Sequence, residues 1–221
     1  MLDNLGVLWD MDGVLVDTGE FHYRSWEQIL AEFGVPFDRG RFQAAFGKNN
    51  ADTLAFFLGR PPDAEQLRAV SERKEALFRQ RIHGHAEALP GVRLWLERLQ
   101  NLGARQVVAS SAPQENIDFL VDELGLRPYF VALCAGHSIP GKPDPTLFLQ
   151  AAGILGLQPG DCIVIEDSLP GLEAARRAGM KCIAVTTTNP AEALRGADLV
   201  VERLDRLKLE DFEKLLEKQR N

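Results

Sequence analysis

The stretch WDMDGVLVDT places Asp10, Asp12 and Asp17 within eight residues, directly after the apolar run Gly6-Val7-Leu8-Trp9. A second acidic pair, Glu166 and Asp167, follows the apolar run from Cys162 to Ile165. Ser110 closes the run RQVVAS, and Lys142 sits in GKPDP, between Gly141 and Pro143. Each of these has an ordinary structural reading when taken alone: an aspartate after a strand often caps a helix, and GKPDP makes a turn before a helix at 145–152. Their occurrence together, each at a strand end or helix entry, points to chemistry. Four carboxylates on one pocket, Asp10, Asp12, Glu166 and Asp167, repel one another and cannot all stay ionised without a counter-charge. A cation resolves this, and hard oxygen donors with no histidine or thiol in the set favour Mg²⁺. Lys142 adds a second positive charge and Ser110 a hydroxyl donor, while the backbone amides after Asp10 and Ser110 offer a nest for an anion. Such a site suits a phosphoryl group. Asp10 is then the candidate nucleophile, since a carboxylate that accepts the phosphoryl group splits one hard displacement into two. Asp12 is the candidate acid and base for the leaving oxygen and the attacking water, a role worth roughly 10²–10⁴ in rate. Gly13 lets the chain turn sharply beside them.

These residues need a scaffold that brings strand ends together. Ligands of open parallel α/β sheets sit beyond the carboxyl ends of the strands, where strand order reverses. The β-branched-rich runs at 5–9, 105–110, 129–134, 161–166, 181–186 and 197–201 read as strands buried on both faces. Between them, Val92, Trp95, Leu96 and Leu99, and then Ile117, Leu120, Val121 and Leu124, follow the spacing of an apolar helical stripe. Alternation of strand and helix predicts an α/β fold, a Rossmann-like parallel sheet with helices on both faces. The exception is 18–85, where Trp26, Ile29, Leu30 and Phe33 begin a helical run without a strand. FGVPFDRG and LGRPPDAEQ break this region into three helices, with Asp63 and Gln66 spaced as a capping box for the third. The usual βα loop has about 2 to 6 residues, so 18–85 is predicted to be an all-helical cap inserted after the first strand, with 1–17 and 86–221 forming the core. The charged end, RLDRLKLEDFEKLLEKQRN, reads as a solvated amphipathic helix.

The 221 residues are 45% hydrophobic with a formal charge of −7, enough apolar content for a real core and the wrong sign for a nucleic-acid or anionic-membrane surface. Cys134, Cys162 and Cys182 fall in no metal-type spacing and read as inert core thiols of a reducing compartment. The start MLDNLG has no basic leader region and no apolar run reaches the ~18 residues of a membrane span. A soluble cytoplasmic protein, monomeric or weakly dimeric, acting on a small phosphorylated metabolite is expected.

The four segments DMDGVLVDT, VVASS, GKPDP and VIEDSLPGLEAARRAGM together resemble the motifs of the haloacid dehalogenase superfamily, and the match extends over essentially the whole chain. The resemblance implies that Asp10 is the nucleophile and that Asp12 is the acid/base and lends its backbone carbonyl to the metal. Ser110 and Lys142 resemble the phosphate-orienting pair, Glu166 and Asp167 the remaining metal carboxylates. The presence of Asp12 separates phosphotransferases from the dehalogenase branch. The helical insertion resembles the mobile cap, of the C1 type, of the β-phosphoglucomutase-like subgroup.

Within that subgroup, DTGEFHYRSW resembles the mutase at Thr18, His22 and Trp26, which implies Thr18 at the hinge and His22 beside Asp12; Lys74 resembles the cap lysine that faces the sugar. Gly13 and Ser111 complete the candidate substrate contacts. The pattern then departs: Asn50 stands where the mutase has an arginine for the substrate's second phosphate, and Ala112, Pro113 and Gln114 stand where it has serine, lysine and asparagine. Lys48 is near enough to replace one lost charge. A mutase must hold a bisphosphate in two orientations, and each charge-assisted bond to the second phosphate is worth roughly 1.5–3 kcal/mol. The expectation is therefore a Mg²⁺-dependent phosphatase acting on a small phosphomonoester, a sugar phosphate, through an aspartyl-phosphate, with β-phosphoglucomutase activity as the alternative. A receiver-type signalling domain and a non-catalytic phosphate-binding module fit less well: the first has no long cap after its first strand, and the second has no need of both Asp10 and Asp12.

Overall fold

The computed structural model describes residue 2 and residues 4–220. Six strands, β1 (Gly6–Trp9), β2 (Arg105–Ser110), β3 (Ala132–Ala135), β4 (Cys162–Glu166), β5 (Lys181–Val185) and β6 (Leu199–Val201), form one sheet in the order β3-β2-β1-β4-β5-β6. Every neighbouring pair is parallel. The order reverses at β1 and β4, where Trp9 is in register with Ile165. The ligand crevice of such a sheet therefore falls between Asp10 and Glu166.

Successive strand residues point to opposite faces, and both faces are covered. Val7, Trp9, Val108, Ile163 and Ile165 pack with helices α5 (Val92–Asn101) and α6 (Gln114–Glu123). Leu8, Val107, Ala109, Cys162 and Val164 pack with α7 (Thr146–Leu155) and α8 (Leu169–Arg177). The two stripes read from the sequence on α5 and α6 are buried throughout. The C-terminal helix α9 (Leu209–Arg220) is amphipathic as expected, with Phe212 buried against Trp95. All three cysteines are free and buried, and burial pushes the Cys134 and Cys162 thiols up to about 11 and about 12.

The run expected as a strand at 129–134 begins instead with a 3₁₀ turn at Arg127–Tyr129, and the strand starts at Ala132. Pro128 has no backbone N–H for a ladder, the amides of Tyr129 and Phe130 bond to Leu126 and Arg127, and the two aromatic rings pack against the core.

Helices α1 (Gly19–Glu32), α2 (Arg39–Ala45), α3 (Asn50–Leu58) and α4 (Ala64–Ile82) lie between β1 and α5, four where the breaker pattern predicts three. The additional break is at 46–49, where Gly47 has φ 84° and Asn49 caps α3 by accepting from the Asp52 amide at 2.8 Å. Asp63 caps α4 through the Gln66 amide at 2.8 Å, as its spacing predicts. These helices enclose their own apolar centre of Tyr23, Trp26, Ile29, Leu30, Phe42 and Phe57, while Phe33, the end of the predicted α1 stripe, is 47% exposed. The chain leaving β1 and the chain returning from α4 meet through a bridge between Val16 and Ala88 and a Leu89 amide bond to Leu15. Among the described residues no helix is long and apolar enough to cross a membrane.

Candidate active site

Asp10 extends β1 by one residue, its amide donating to Ile165 of β4 at 3.0 Å. The loop before α7, which carries a cis peptide between Lys142 and Pro143, delivers the Lys142 ammonium between two strand ends. Its Nζ lies 2.8 Å from Asp10 Oδ1 and 2.5 Å from Glu166 Oε1. The other Glu166 oxygen accepts from the amides of Asp167 and Ser168 and from the Ser168 hydroxyl, each at 2.9 Å. Ser168 in turn caps α8 through the Gly171 amide, and a side chain at Gly171 would overlap the Glu166 carboxylate. Asp167 accepts from the Thr188 hydroxyl. Gly13, at φ 77°, lies so close to Asp167 that a Cβ there would overlap it.

Asp10, Glu166 and Asp167 each offer a carboxylate oxygen within 4.8 Å of the others, all three buried. Burial lifts Asp10 to about 7; Lys142 opposes the rise, and Glu166 and Asp12 add to it. Burial, with Glu166 and Asp10, pushes Asp167 well above the usual carboxylate range. Burial disfavours the Lys142 ammonium, but Asp10 and Glu166 outweigh it and raise its proton affinity. One ammonium among three buried carboxylates leaves an uncompensated charge, and an all-oxygen cluster of this kind fits a hard dication.

The Asp12 carboxylate turns away from that cluster toward the cap. Thr18 donates to its Oδ1 at 2.5 Å and His22 Nε2 lies 3.3 Å from the same oxygen. Thr18 occupies the N-cap position of α1 without making a side-chain cap bond; its hydroxyl donates to Asp12. Lys74 Nζ is 2.8 Å from His22 Nδ1. An ammonium can only donate, so Nδ1 accepts and Nε2 carries the hydrogen toward Asp12. His22 also stacks on Phe78, with centroids 3.9 Å apart and planes at 2°, which fixes the ring. Burial pushes Asp12 up, but His22, Thr18 and Lys74 outweigh it and hold its carboxyl below the ordinary range.

A cavity of about 50 Å³ lies between cap and core, bounded by Asp10, Asp12 and Ser111 from the core and His22, Asn50 and Lys74 from the cap. Six of the sequence-derived site residues thus line one cavity. Gly13, Thr18, Ser110, Lys142, Glu166 and Asp167 stand behind it; Ser110, fully buried at the end of β2, accepts from the Ala112 amide at 3.2 Å. The acid cluster contains no Asp12 side-chain oxygen, so any part of Asp12 in holding a metal falls to its backbone. Glu75, Asn116 and Thr188 are not singled out by the sequence. Lys74 Nζ bonds Glu75 Oε1 at 2.8 Å, and Asn116 of α6 donates to Glu75 Oε2 at 2.6 Å. The only sequence signal for Glu75 is its place beside Lys74, and Asn116 has none.

Strand order, acids at the switch point and the helical insertion define the class, a Rossmann-like hydrolase core with a cap. Residues 5–179 match the haloacid dehalogenase-like hydrolases, and the chain belongs to that family, as its four motifs imply. It is 33% identical over 96% of its length to the chloroplastic 5-amino-6-(5-phospho-D-ribitylamino)uracil phosphatase of Arabidopsis thaliana, of which it spans 57%. It is 32% identical to the β-phosphoglucomutase of Bacillus subtilis over 92% of each chain. The crystal structure of β-phosphoglucomutase from Clostridium difficile superposes with a TM-score of 0.88 at 25% identity, covering 99% of this chain and 98% of that one.

Proposed function

We propose that this chain is a Mg²⁺-dependent phosphatase of small phosphomonoesters, with a sugar phosphate as the substrate class. The observation that carries the reading is the placement of two aspartates of opposite character on one small cavity: Asp10 joined to the Lys142 ammonium and the acid cluster, and Asp12 facing the cap. An Asp10 oxygen attacks phosphorus, the ester P–O bond breaks, and Asp12 gives the leaving oxygen a proton. The phosphate that enters beside Asp12 raises its proton affinity for that step, as a like charge does. In the second half Asp12 takes a proton from water, whose oxygen displaces Asp10 and releases phosphate. Asp10, Asp167 and Glu166, with the Asp12 backbone carbonyl, are the residues that would hold Mg²⁺, which offsets charge on the transferring group. Lys142 offsets charge from its own position, and Ser110 and Ser111 orient the phosphate. Thr18, His22 and Lys74 hold Asp12 in register.

Hydrolysis is favoured over mutase activity by the rest of the cavity lining. Asn50, Ala112 and Pro113 bring no positive charge there, Gln114 is bonded to Asp118, and the Lys74 charge is matched by Glu75. Lys48 is the remaining cation on the cavity wall. The kinship to β-phosphoglucomutases supports the second reading, phosphoryl transfer through a bisphosphate. The net charge of −7 supports a small metabolite as partner over nucleic acid.

Phosphate release from a phosphomonoester panel, with and without Mg²⁺ and against Asp10→Asn, tests the activity. With β-glucose 1-phosphate and a trace of its bisphosphate, free phosphate should outrun glucose 6-phosphate; the reverse order would reassign the chain as a mutase.

A further inference from the structure

Glu75 has no part in the steps above, yet it is only 5% exposed and borders two cavities. One is the catalytic cavity; the other, about 510 Å³, lies between α4 and the core residues Pro113 and His137. Its carboxylate is pinned from both domains. Lys74 and Asn50 donate to Oε1, each at 2.8 Å, from the cap. Asn116 donates to Oε2 at 2.6 Å from the core and is itself fixed by Arg79 at 2.6 Å. Burial raises its carboxyl, but Lys74 and His22 outweigh that and hold it below the usual range, so the group stays charged.

A count of donors and acceptors shows what this wall can recognise. A carboxylate oxygen has two acceptor sites: Oε1 is filled by Lys74 and Asn50, while Oε2, engaged by Asn116, keeps one. One N–H of the Asn50 amide goes to Glu75 and the other is left over, and its carbonyl oxygen takes no partner among the described residues. Lys74 has three donors, of which His22 and Glu75 use two. Two acceptors and two donors are therefore left on this wall. A hydroxyl group donates and accepts and can satisfy both kinds. A phosphate oxygen only accepts, and would meet a fixed like charge in a buried site.

We propose that Glu75 is the specificity-determining residue of this site: with the Asn50 carbonyl, its fixed carboxylate selects an uncharged, hydroxyl-bearing leaving group and rejects a second phosphate. This rests on the phosphatase reading and adds to it the class of leaving group. Because the charge is anchored by Asn116 across the domain boundary, it cannot swing aside while the cap is closed.

The test compares the wild type, Glu75→Gln and Glu75→Asp on a hexose 1-phosphate and the matching 1,6-bisphosphate. It reads kcat/KM with Mg²⁺ and, in parallel, the thermal-shift midpoint for binding of each compound. The wild type should favour the monophosphate at least 30-fold. Glu75→Gln should cut that preference at least tenfold, mainly through a lower KM for the bisphosphate, and Glu75→Asp should keep it. An unchanged preference in Glu75→Gln, a fall of both compounds by one factor, or a preference lost equally in both variants overturns the assignment. If Glu75→Gln does not fold, Asn50→Ala serves: it should weaken the monophosphate several-fold and leave the bisphosphate unchanged, and equal weakening overturns the assignment. Should no compound be hydrolysed, the phosphatase reading falls, while the binding ratio still decides the role of Glu75.

Discussion

Asp10 and Asp12, two residues apart and bordering one cavity, are driven in opposite directions. Burial lifts the Asp10 carboxyl to about 7. The same burial acts on Asp12 but is outweighed by His22 and Thr18, which hold it below its usual range. Environments that push two neighbouring acids apart assign them different duties. Asp10 shares its pocket with other acids and is relieved by cations, whereas Asp12 is governed by the cap, so its readiness depends on closure.

The lifted Asp10 carboxyl has a consequence for stability in metal-free protein. Its folded value, about 7, is above its ordinary value of 3.8, so its contribution is fully present below about pH 4 and is lost as pH rises through 7. Asp10→Asn removes that loss. Metal-free Asp10→Asn should be more stable than the wild type at pH 8, by up to a few kcal/mol, with the difference shrinking toward pH 4. Urea unfolding of both proteins at a series of pH values measures this; a constant difference would contradict it. Saturating Mg²⁺, at about 100 times its Kd, should stabilise the wild type by about 2.7 kcal/mol and Asp10→Asn much less.

Lys142→Met tests the counter-charge. It leaves Asp10, Glu166 and Asp167 buried without their ammonium, and stranding one side of a buried pair costs about 3–5 kcal/mol. The cost should be greatest at pH 8 without Mg²⁺. It should fall at pH 5, where Asp10 and Asp167, both raised, take up protons, and fall again when Mg²⁺ is added. Unfolding midpoints under those conditions give the answer, and equal costs in all of them would mean that Lys142 acts by packing on Phe148.

Much of this arrangement is legible in the residues themselves. Runs such as Cys162 to Ile165 have strand composition and can be buried on both faces, so the parallel sheet follows; Asp10, Ser110 and Glu166 mark its carboxyl edge. Asp63 marks a true helix start because an N-cap is local chemistry, although Gln66 Oε1 accepts from Arg60 and leaves the box half made. The break at Gly47 and Asn49 is equally local but short enough to be read as part of a longer helix. Glu166 shows a different limit: its acid type suggests a ligand, yet its bonds to Lys142, Asp167 and Ser168 show it also anchoring the loop. Glu75 and Asn116 were illegible because their meaning is a contact between residues 41 positions apart, and neither position carries a local signature.

Lys74→Met separates orientation of Asp12 from binding. The variant removes the donor that makes His22 Nδ1 an acceptor, so the ring hydrogen can sit on Nδ1 and the donation from Nε2 to Asp12 is lost. Stranding the buried Glu75 carboxylate costs about 3–5 kcal/mol, but packing is kept, since the Lys74 stem lies beside Trp26 and Phe78 and methionine fills similar space. The kcat should drop roughly 10- to 100-fold, within the range for positioned proton transfer, and most for substrates with poor leaving groups. An aryl phosphate, whose leaving oxygen needs no proton, should be affected least. An equal drop for both kinds of substrate would show that Lys74 does not act through the proton given to the leaving oxygen.

Asn116→Ala addresses closure. Asn116 is fully buried on a core helix, yet its side-chain amide serves two cap residues, donating to Glu75 and accepting from Arg79. Its removal leaves a Glu75 oxygen and the Arg79 guanidinium short of partners, a loss of about 1–3 kcal/mol when the groups stay buried. Cap opening gives both groups access to water, so the variant should escape part of that cost by opening. Global stability should then fall less than 3 kcal/mol, while amide exchange speeds up in α4 and in the first turn of α6, and KM for the monophosphate rises with a smaller change in kcat. Exchange that accelerates uniformly over the sheet instead would place Asn116 in the core's folding and take it out of cap closure.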